Sequence, residues 1–207
     1  MSGIMTAEEF QKCCNVSRET MEKFICYSQM LIKWQKAINL VSNSSLNDLW
    51  RRHFYDSAQL MDYINRKDTP LKILDLGSGA GFPGLVLSIL GAGQVHLVEG
   101  VGKKCSFMKQ IIQNTAIDAI VHNDRIEDMD FFPVDLITSR ACADLEKLID
   151  LTSNFRTAQT ECLFLKGEKA EQEIKRATKR WNFKVEKFTS KSEESGLVLR
   201  LSQIRAR

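Results

Sequence analysis

The apolar positions of this chain change their period once. Up to about residue 67 they recur at helical spacing: Met21, Phe24, Ile25, Leu31, Ile32 and Ile38 form one stripe, and Leu46, Leu49, Trp50, His53, Ser57, Leu60, Met61 and Ile64 form a second. Thr6-x-x-Glu9 predicts a capping box for the first helix, and Ser45-x-x-Asp48 a cap for a later one. Asp68-Thr69-Pro70 interrupts the helical pattern, which divides the chain into a helical extension, 1–69, and a second region, 70–207. Beyond that boundary, short apolar runs alternate with amphipathic ones. Strands are predicted near 72–76, 94–98, 119–122, 134–138 and 161–165, with helices near 84–90, 103–115, 144–156 and 168–181. This alternation is that of an α/β, doubly wound parallel sheet. The last two strand-like runs, Phe183 to Phe188 and Leu197 to Ile204, have only a polar segment between them and are predicted to pair antiparallel at a sheet edge.

Composition narrows this picture only slightly. The 207 residues, 43% hydrophobic and 27% charged, suit one well-buried α/β domain with a small extension. A net charge of +3 is modest and compatible with a basic patch on one face. Six cysteines show no C-x-x-C spacing and only three histidines accompany them, so no metal site and no disulfide framework is expected, and the thiols are read as reduced and mostly buried. Glu8 and Glu9 near the start, without a long apolar core, predict neither a signal nor a transit peptide, no membrane association and a cytoplasmic location.

Candidate chemistry concentrates in Lys72-Ile-Leu-Asp-Leu-Gly-Ser-Gly-Ala-Gly-Phe-Pro-Gly84. Ile73, Leu74 and Leu76 read as a strand, and Gly77, Gly79 and Gly81 let the backbone turn sharply and approach a ligand. A helix follows from about Pro83, its free N–H groups favouring electron-rich partners. Gly79-x-Gly81-x-x-Gly84 matches the dinucleotide pattern, yet Asp75 at the strand end suits the amino group of a methionine-like cofactor better than a pyrophosphate. Glu99, closing the second strand, is placed for the ribose hydroxyls of either an NAD-type or an S-adenosylmethionine-type ligand.

Together with this loop, Arg125-Ile-Glu127, Thr138-Ser-Arg-Ala141, Lys166-Gly167 and Arg52-His53-x-x-Asp56-Ser57 make the chain resemble the bacterial small-subunit rRNA guanine-N7 methyltransferases, the RsmG (GidB) family. The resemblance implies a Rossmann-like domain that uses S-adenosyl-L-methionine to methylate N7 of one guanine in the 530 loop of 16S rRNA. It implies cofactor contacts at Gly77 and Phe82 in the loop, at Ile126 and Glu127 near the adenine, and at Arg140; Gly79 of the same loop is a further cofactor candidate. Phe82 stands where relatives often have leucine, which preserves an apolar wall.

Such chemistry needs few catalytic side chains. Guanine N7 has a free lone pair and no proton to lose, so alignment can supply much of the rate. The fourth strand ends in Thr138-Ser139-Arg140-Ala141, not in the Asp/Asn-Pro-Pro-aromatic motif of amino-group methyltransferases, and the only prolines are Pro70, Pro83 and Pro133, so no Pro-Cys pair exists. Arg140 is the candidate for positioning the substrate, through guanine O6 or a phosphate; its structural alternative is an ion pair with Asp75 or Asp144. His53 reads equally as a core histidine held by Asp56 and as a substrate contact. Arg51, Arg52, Lys103, Lys104 and Lys166 are candidates for RNA phosphate. A monomer acting on 16S rRNA or on the small ribosomal subunit is expected. Two other classes stay open: an NAD-dependent oxidoreductase, and a noncatalytic RNA-binding assembly factor.

Overall fold

A computed structural model describes residues 3–65 and 69–207. Helix α1 (Ala7–Cys14) starts at the predicted capping box, in which Thr6 accepts from the Glu9 amide and Glu9 from the Thr6 amide. Helix α2 (Arg18–Gln35) is capped by Ser17 and buries Met21, Phe24, Tyr27, Ser28 and Leu31. Ile25 and Ile32, expected on that stripe, are 37% and 47% exposed. Each lies one residue past an inward position, a rotation of about 100° that carries it off the buried line.

The second predicted stripe does not form one regular helix. It breaks into α3 (Asn43–Leu46), a π-helical turn (Trp50–Tyr55), α4 (Asp56–Ala58) and a 3₁₀ turn (Gln59–Tyr63). Ser42, not Ser45, caps α3, and Asp48 accepts from the Met5 amide and from Arg51. In the π turn the Asp56 amide reaches the Arg51 carbonyl five residues back, where an α-helix would use that of Arg52. Asp68, part of the predicted boundary, lies outside the described residues.

The rest is the predicted alternation: β1 (Leu71–Leu76), α5 (Gly84–Ile89), β2 (Gly93–Val98), α6 (Gly102–Thr115), β3 (Ala119–His122), β4 (Leu136–Arg140), α7 (Leu145–Leu151), β5 (Glu161–Lys166), α8 (Ala170–Ala177), β6 (Trp181–Thr189) and β7 (Leu197–Ala206). The sheet order is β3-β2-β1-β4-β5-β7-β6, with β1 to β5 parallel and β7 antiparallel to both β5 and β6. β1 lies near the centre and is buried except for Lys72. One face packs on α5, α6 and the extension, whose Phe10, Phe24, Tyr27 and Phe54 share a core with Leu85 and Phe107. The other face packs on α7 and around Phe155 and Phe164.

The extension touches the sheet at two ends. α2 packs beside α6, while the turn at Gln59–Tyr63 meets the β6–β7 hairpin: Tyr63 stacks on Phe188 at 4.3 Å, and Gln59 accepts from the Lys191 amide at 2.8 Å. The thiols are all free, but only Cys105 and Cys162 are buried; Cys13 and Cys142 are exposed, against the expectation of a mostly buried set. His96 and His122 are half-buried and bonded to each other at 2.9 Å beside Phe132. Among the described residues, no helix is long and apolar enough to cross a membrane.

Candidate functional site

A cleft of about 650 Å³ opens where β1, β2, β4 and β5 end, the edge at which open α/β sheets bind ligands. It is lined by Gly77 to Ala80, Phe82 and Glu99, by the segment Arg140 to Asp144, by His53 and Asp56 beside Arg140, and by the β6–β7 loop.

The glycine loop is held in a conformation that needs its glycines: φ is +64° at Gly77, +57° at Gly79 and +94° at Gly81. At Gly81 a Cβ would lie 2.8 Å from the Tyr27 hydroxyl, whereas at Gly79 it would meet no protein atom nearer than 3.9 Å. The loop is thus packed against the extension at Gly81 and open at Gly79. Glu99 fastens it to β2, one carboxylate oxygen accepting from the Gly79 amide at 3.0 Å and the other from the Val101 amide at 2.8 Å. Those two bonds leave lone pairs on a carboxylate that lines the cleft.

Asp75 requires a correction. It is fully buried and off the cleft wall. Its register partner on β4 is Thr138, whose hydroxyl donates to one carboxylate oxygen at 2.9 Å, and the Gly84 amide, the first of α5, donates to the other at 3.2 Å. Burial pushes its pKa up to about 6, against the lowering effect of these hydrogen bonds. Asp75 is an internal brace that shapes the loop from behind, not a partner for a ligand's amino group.

Arg140 reaches the cleft wall as expected, but neither Asp75 nor Asp144 is its partner. Its guanidinium donates to the Arg52 carbonyl at 2.8 Å, to Asp56 at 3.3 Å and to His53 Nδ1 at 2.7 Å, and lies 5.0 Å from the Phe82 ring centre. In the π turn the Asp56 amide goes to the Arg51 carbonyl, so it does not share the Arg52 carbonyl with Arg140. Asp56 is held in turn by Ser192 at 2.5 Å and Gln59 at 3.0 Å. Asp144 instead caps α7.

His53 is a buried histidine, held by Arg140 and Ser45 and not by Asp56. A guanidinium can only donate, so Nδ1 accepts and Nε2 carries the proton, donating to Ser45 Oγ at 2.8 Å. Burial, then the charges of Arg140 and Arg52, push its pKa down to about 3. The unfolded chain therefore binds a proton that the folded one refuses, and stability is lost as pH falls below the ordinary value of 6.5. Between pH 7.5 and pH 5 this contribution falls by about 2 kcal/mol. Urea unfolding at the two pH values should show His53→Gln losing less stability than the unsubstituted chain by about that margin; equal losses would refute the assignment.

The other candidates separate. Arg52 lines the cleft, half exposed, and pairs across its rim with Glu193 at 3.2 Å. Lys104 lines it and Lys103 beside it is exposed. Arg51 does not face the cleft: its side chain is 15% exposed, and its guanidinium is engaged by Asp48 at 3.2 Å and the Gly3 carbonyl at 3.1 Å. Lys166 lines the cleft but is committed, pairing with Glu173 at 2.7 Å and donating to the Ala143 carbonyl at 2.6 Å, which ties the segment after β4 to α8. Ile126 and Glu127 are not on the cleft wall; a 3₁₀ turn packs Ile126 into the core, and half-exposed Glu127 pairs with Lys147 at 3.1 Å.

Sequence reasoning missed Tyr27, Ser45 and Cys142. Tyr27 donates to the Ala80 carbonyl in the glycine loop at 2.5 Å, Ser45 fixes His53, and Cys142 lies against Gly77. Only Tyr27 carried a local signal, its spacing from Phe24 and Leu31 along α2.

Residues 20–198 match the family model GidB, described as rRNA small subunit methyltransferase G. The ribosomal RNA small subunit methyltransferase G of Rhodospirillum centenum is 45% identical over 201 residues, covering 97% of this chain and 92% of that protein. Its namesake in Rhodospirillum rubrum is 44% identical, covering 97% and 98%. Among solved structures, a mutant of MtNAS in complex with S-adenosylmethionine aligns with a TM-score of 0.62 at 11% identity, over 98% of this chain and 85% of that one, a likeness of fold.

Proposed function

The chain belongs to the GidB family, rRNA small subunit methyltransferase G, and from that membership we propose that it methylates N7 of a guanine in the 530-loop region of 16S rRNA. It is an S-adenosylmethionine-dependent methyltransferase of small-subunit rRNA. The cleft fits that cofactor. Gly79 leaves its ligand side open, Glu99 offers acceptor lone pairs beside it, and Phe82 adds an apolar wall. Gly77, Gly79, Phe82 and Glu99 would hold it, and when bound it supplies an already activated methyl group.

One observation supports a ring nitrogen as acceptor: every carboxylate on the cleft wall, and its histidine, already has a partner. Asp56 holds Arg140, Glu99 two backbone amides, Asp144 the Lys147 amide, Glu173 Lys166 and Glu193 Arg52, while both His53 nitrogens are bonded. Such a wall suits an acceptor that needs no general base, where positioning supplies the rate. Arg140 would position the base, since its five N–H donors less the three hydrogen bonds leave two for guanine O6 or a phosphate. Arg52, Lys103 and Lys104 would meet RNA phosphate. We read the chain as a cytoplasmic monomer acting on 16S rRNA or the small subunit.

The test is to incubate the protein with small subunits lacking the modification and with methyl-labelled cofactor, then map the labelled base. Label is expected on one guanine of the 530 loop, at N7, detected by chain scission at that base after reduction. Label on an exocyclic amino group would overturn the N7 assignment. S-adenosylhomocysteine binding without transfer would favour an assembly factor, and binding of NAD in its place an oxidoreductase.

A further inference from the structure

We propose that Tyr27, on the helical extension, is a positioning residue for the cofactor loop, so that the extension sets the affinity for the methyl donor as well as facing the RNA. This rests on the cofactor reading above. Tyr27 is fully buried, yet its hydroxyl leaves the apolar core to donate to the Ala80 carbonyl at 2.5 Å, between Gly79 and Gly81. Its ring stacks on Phe82 at 5.2 Å and 11°. Both contacts fall in the five residues from Gly77 to Gly81 and the phenylalanine that follows.

The loop needs such a partner. Three of its residues have positive φ, so its shape does not follow from ordinary backbone preference. From the sheet side, Glu99 holds the Gly79 amide and Asp75 the Gly84 amide. Between those two anchors, Tyr27 supplies a hydrogen bond from the extension side, where His53 and Phe54 pack on the Phe82 ring, and its hydroxyl at 2.8 Å together with Leu85 at 2.3 Å from the Cβ position of Gly81 leaves no room for a side chain there. Burial also holds the phenol well above its ordinary pKa, so it remains a donor to the carbonyl throughout the physiological range. A carbonyl released from this bond would turn the Ala80 peptide and, with it, the Gly79 surface that faces the cleft.

Tyr27→Phe keeps the stacked ring and removes only the hydrogen bond. Phe24→Leu serves as the control: Phe24 is fully buried on the same helix, against Phe10 and Phe54. S-adenosylhomocysteine affinity is measured by calorimetry for the unsubstituted chain and both variants, with unfolding midpoints recorded alongside. Tyr27→Phe is expected to weaken binding about tenfold, and Phe24→Leu to lower the midpoint by at least as much while binding within twofold of the unsubstituted chain. In turnover, Tyr27→Phe should raise KM for the cofactor and leave KM for the small subunit unchanged. Unchanged affinity in Tyr27→Phe, or losses in both variants that follow their midpoints, would overturn the proposal. Failure of the unsubstituted chain to bind would instead overturn the cofactor assignment, and the proposal with it.

Discussion

Arg140→Ala is expected to lower methyl transfer to small subunits by at least about a hundredfold while leaving S-adenosylhomocysteine affinity within a few-fold. The guanidinium bridges the end of β4 and the extension through three hydrogen bonds, and with Asp56 it forms an ion pair whose side chains are 18% and 16% exposed. Truncation leaves the Arg52 carbonyl and the Asp56 carboxylate short of a donor, a stability loss of about 3 kcal/mol. It also removes one of the charges that depress the His53 pKa, which should move back toward its ordinary value. Arg140→Lys should not restore transfer, because one ammonium cannot reach a carbonyl, a carboxylate and an imidazole in the fixed geometry of a fork. Single-turnover rates and calorimetry on each variant decide the matter; equal losses in cofactor affinity and transfer would assign Arg140 to the cofactor.

Asp75→Ala is expected to destabilise the fold by about 4 kcal/mol, because it strands the Thr138 hydroxyl and the Gly84 amide in a fully buried site. Asp75→Asn keeps an acceptor and removes a buried charge, and at pH 7.5 should stay within about 1 kcal/mol of the unsubstituted chain. The pH dependence gives a second signature. The folded pKa of about 6 lies above the ordinary 3.8, so the folded state binds the extra proton and stability falls as pH rises between those values, by about 3 kcal/mol. Asp75→Asn should lack that fall. A urea midpoint series from pH 4 to pH 7 would show it, and an identical slope in both proteins would exclude the raised pKa.

How far the sequence could be read follows from how local each feature is. The glycine loop was legible because positive φ is a property of single residues, and Gly77, Gly79 and Gly81 all adopt it. Asp75 was misassigned because a carboxylate at a strand end can face the cleft or the neighbouring strand, and only the register against Thr138 decides which. His53 left two readings open since its partner Arg140 stands 87 residues away. Tyr27 lost its place to Ile25 and Ile32 because hydrophobic spacing does not choose between adjacent lines on one helix when the inward line carries a polar tip. The π turn left no mark at all: no glycine or proline falls within Trp50–Tyr55, and its Arg52 carbonyl meets a partner, Arg140, 88 residues away.

The hairpin that meets the extension has a consequence for how the molecule is made. The helical extension is synthesised before the sheet, yet Gln59 finds its amide partner 132 residues later at Lys191, and Asp56 its hydroxyl 136 residues later at Ser192. Early helices can form as they emerge, since their caps are local. Their polar edge, however, waits for nearly the last strand, and contacts of such long sequence separation form slowly. A nascent chain therefore carries the unfinished wall of its own cleft throughout most of its synthesis, and closes it only when β7 has left the exit tunnel.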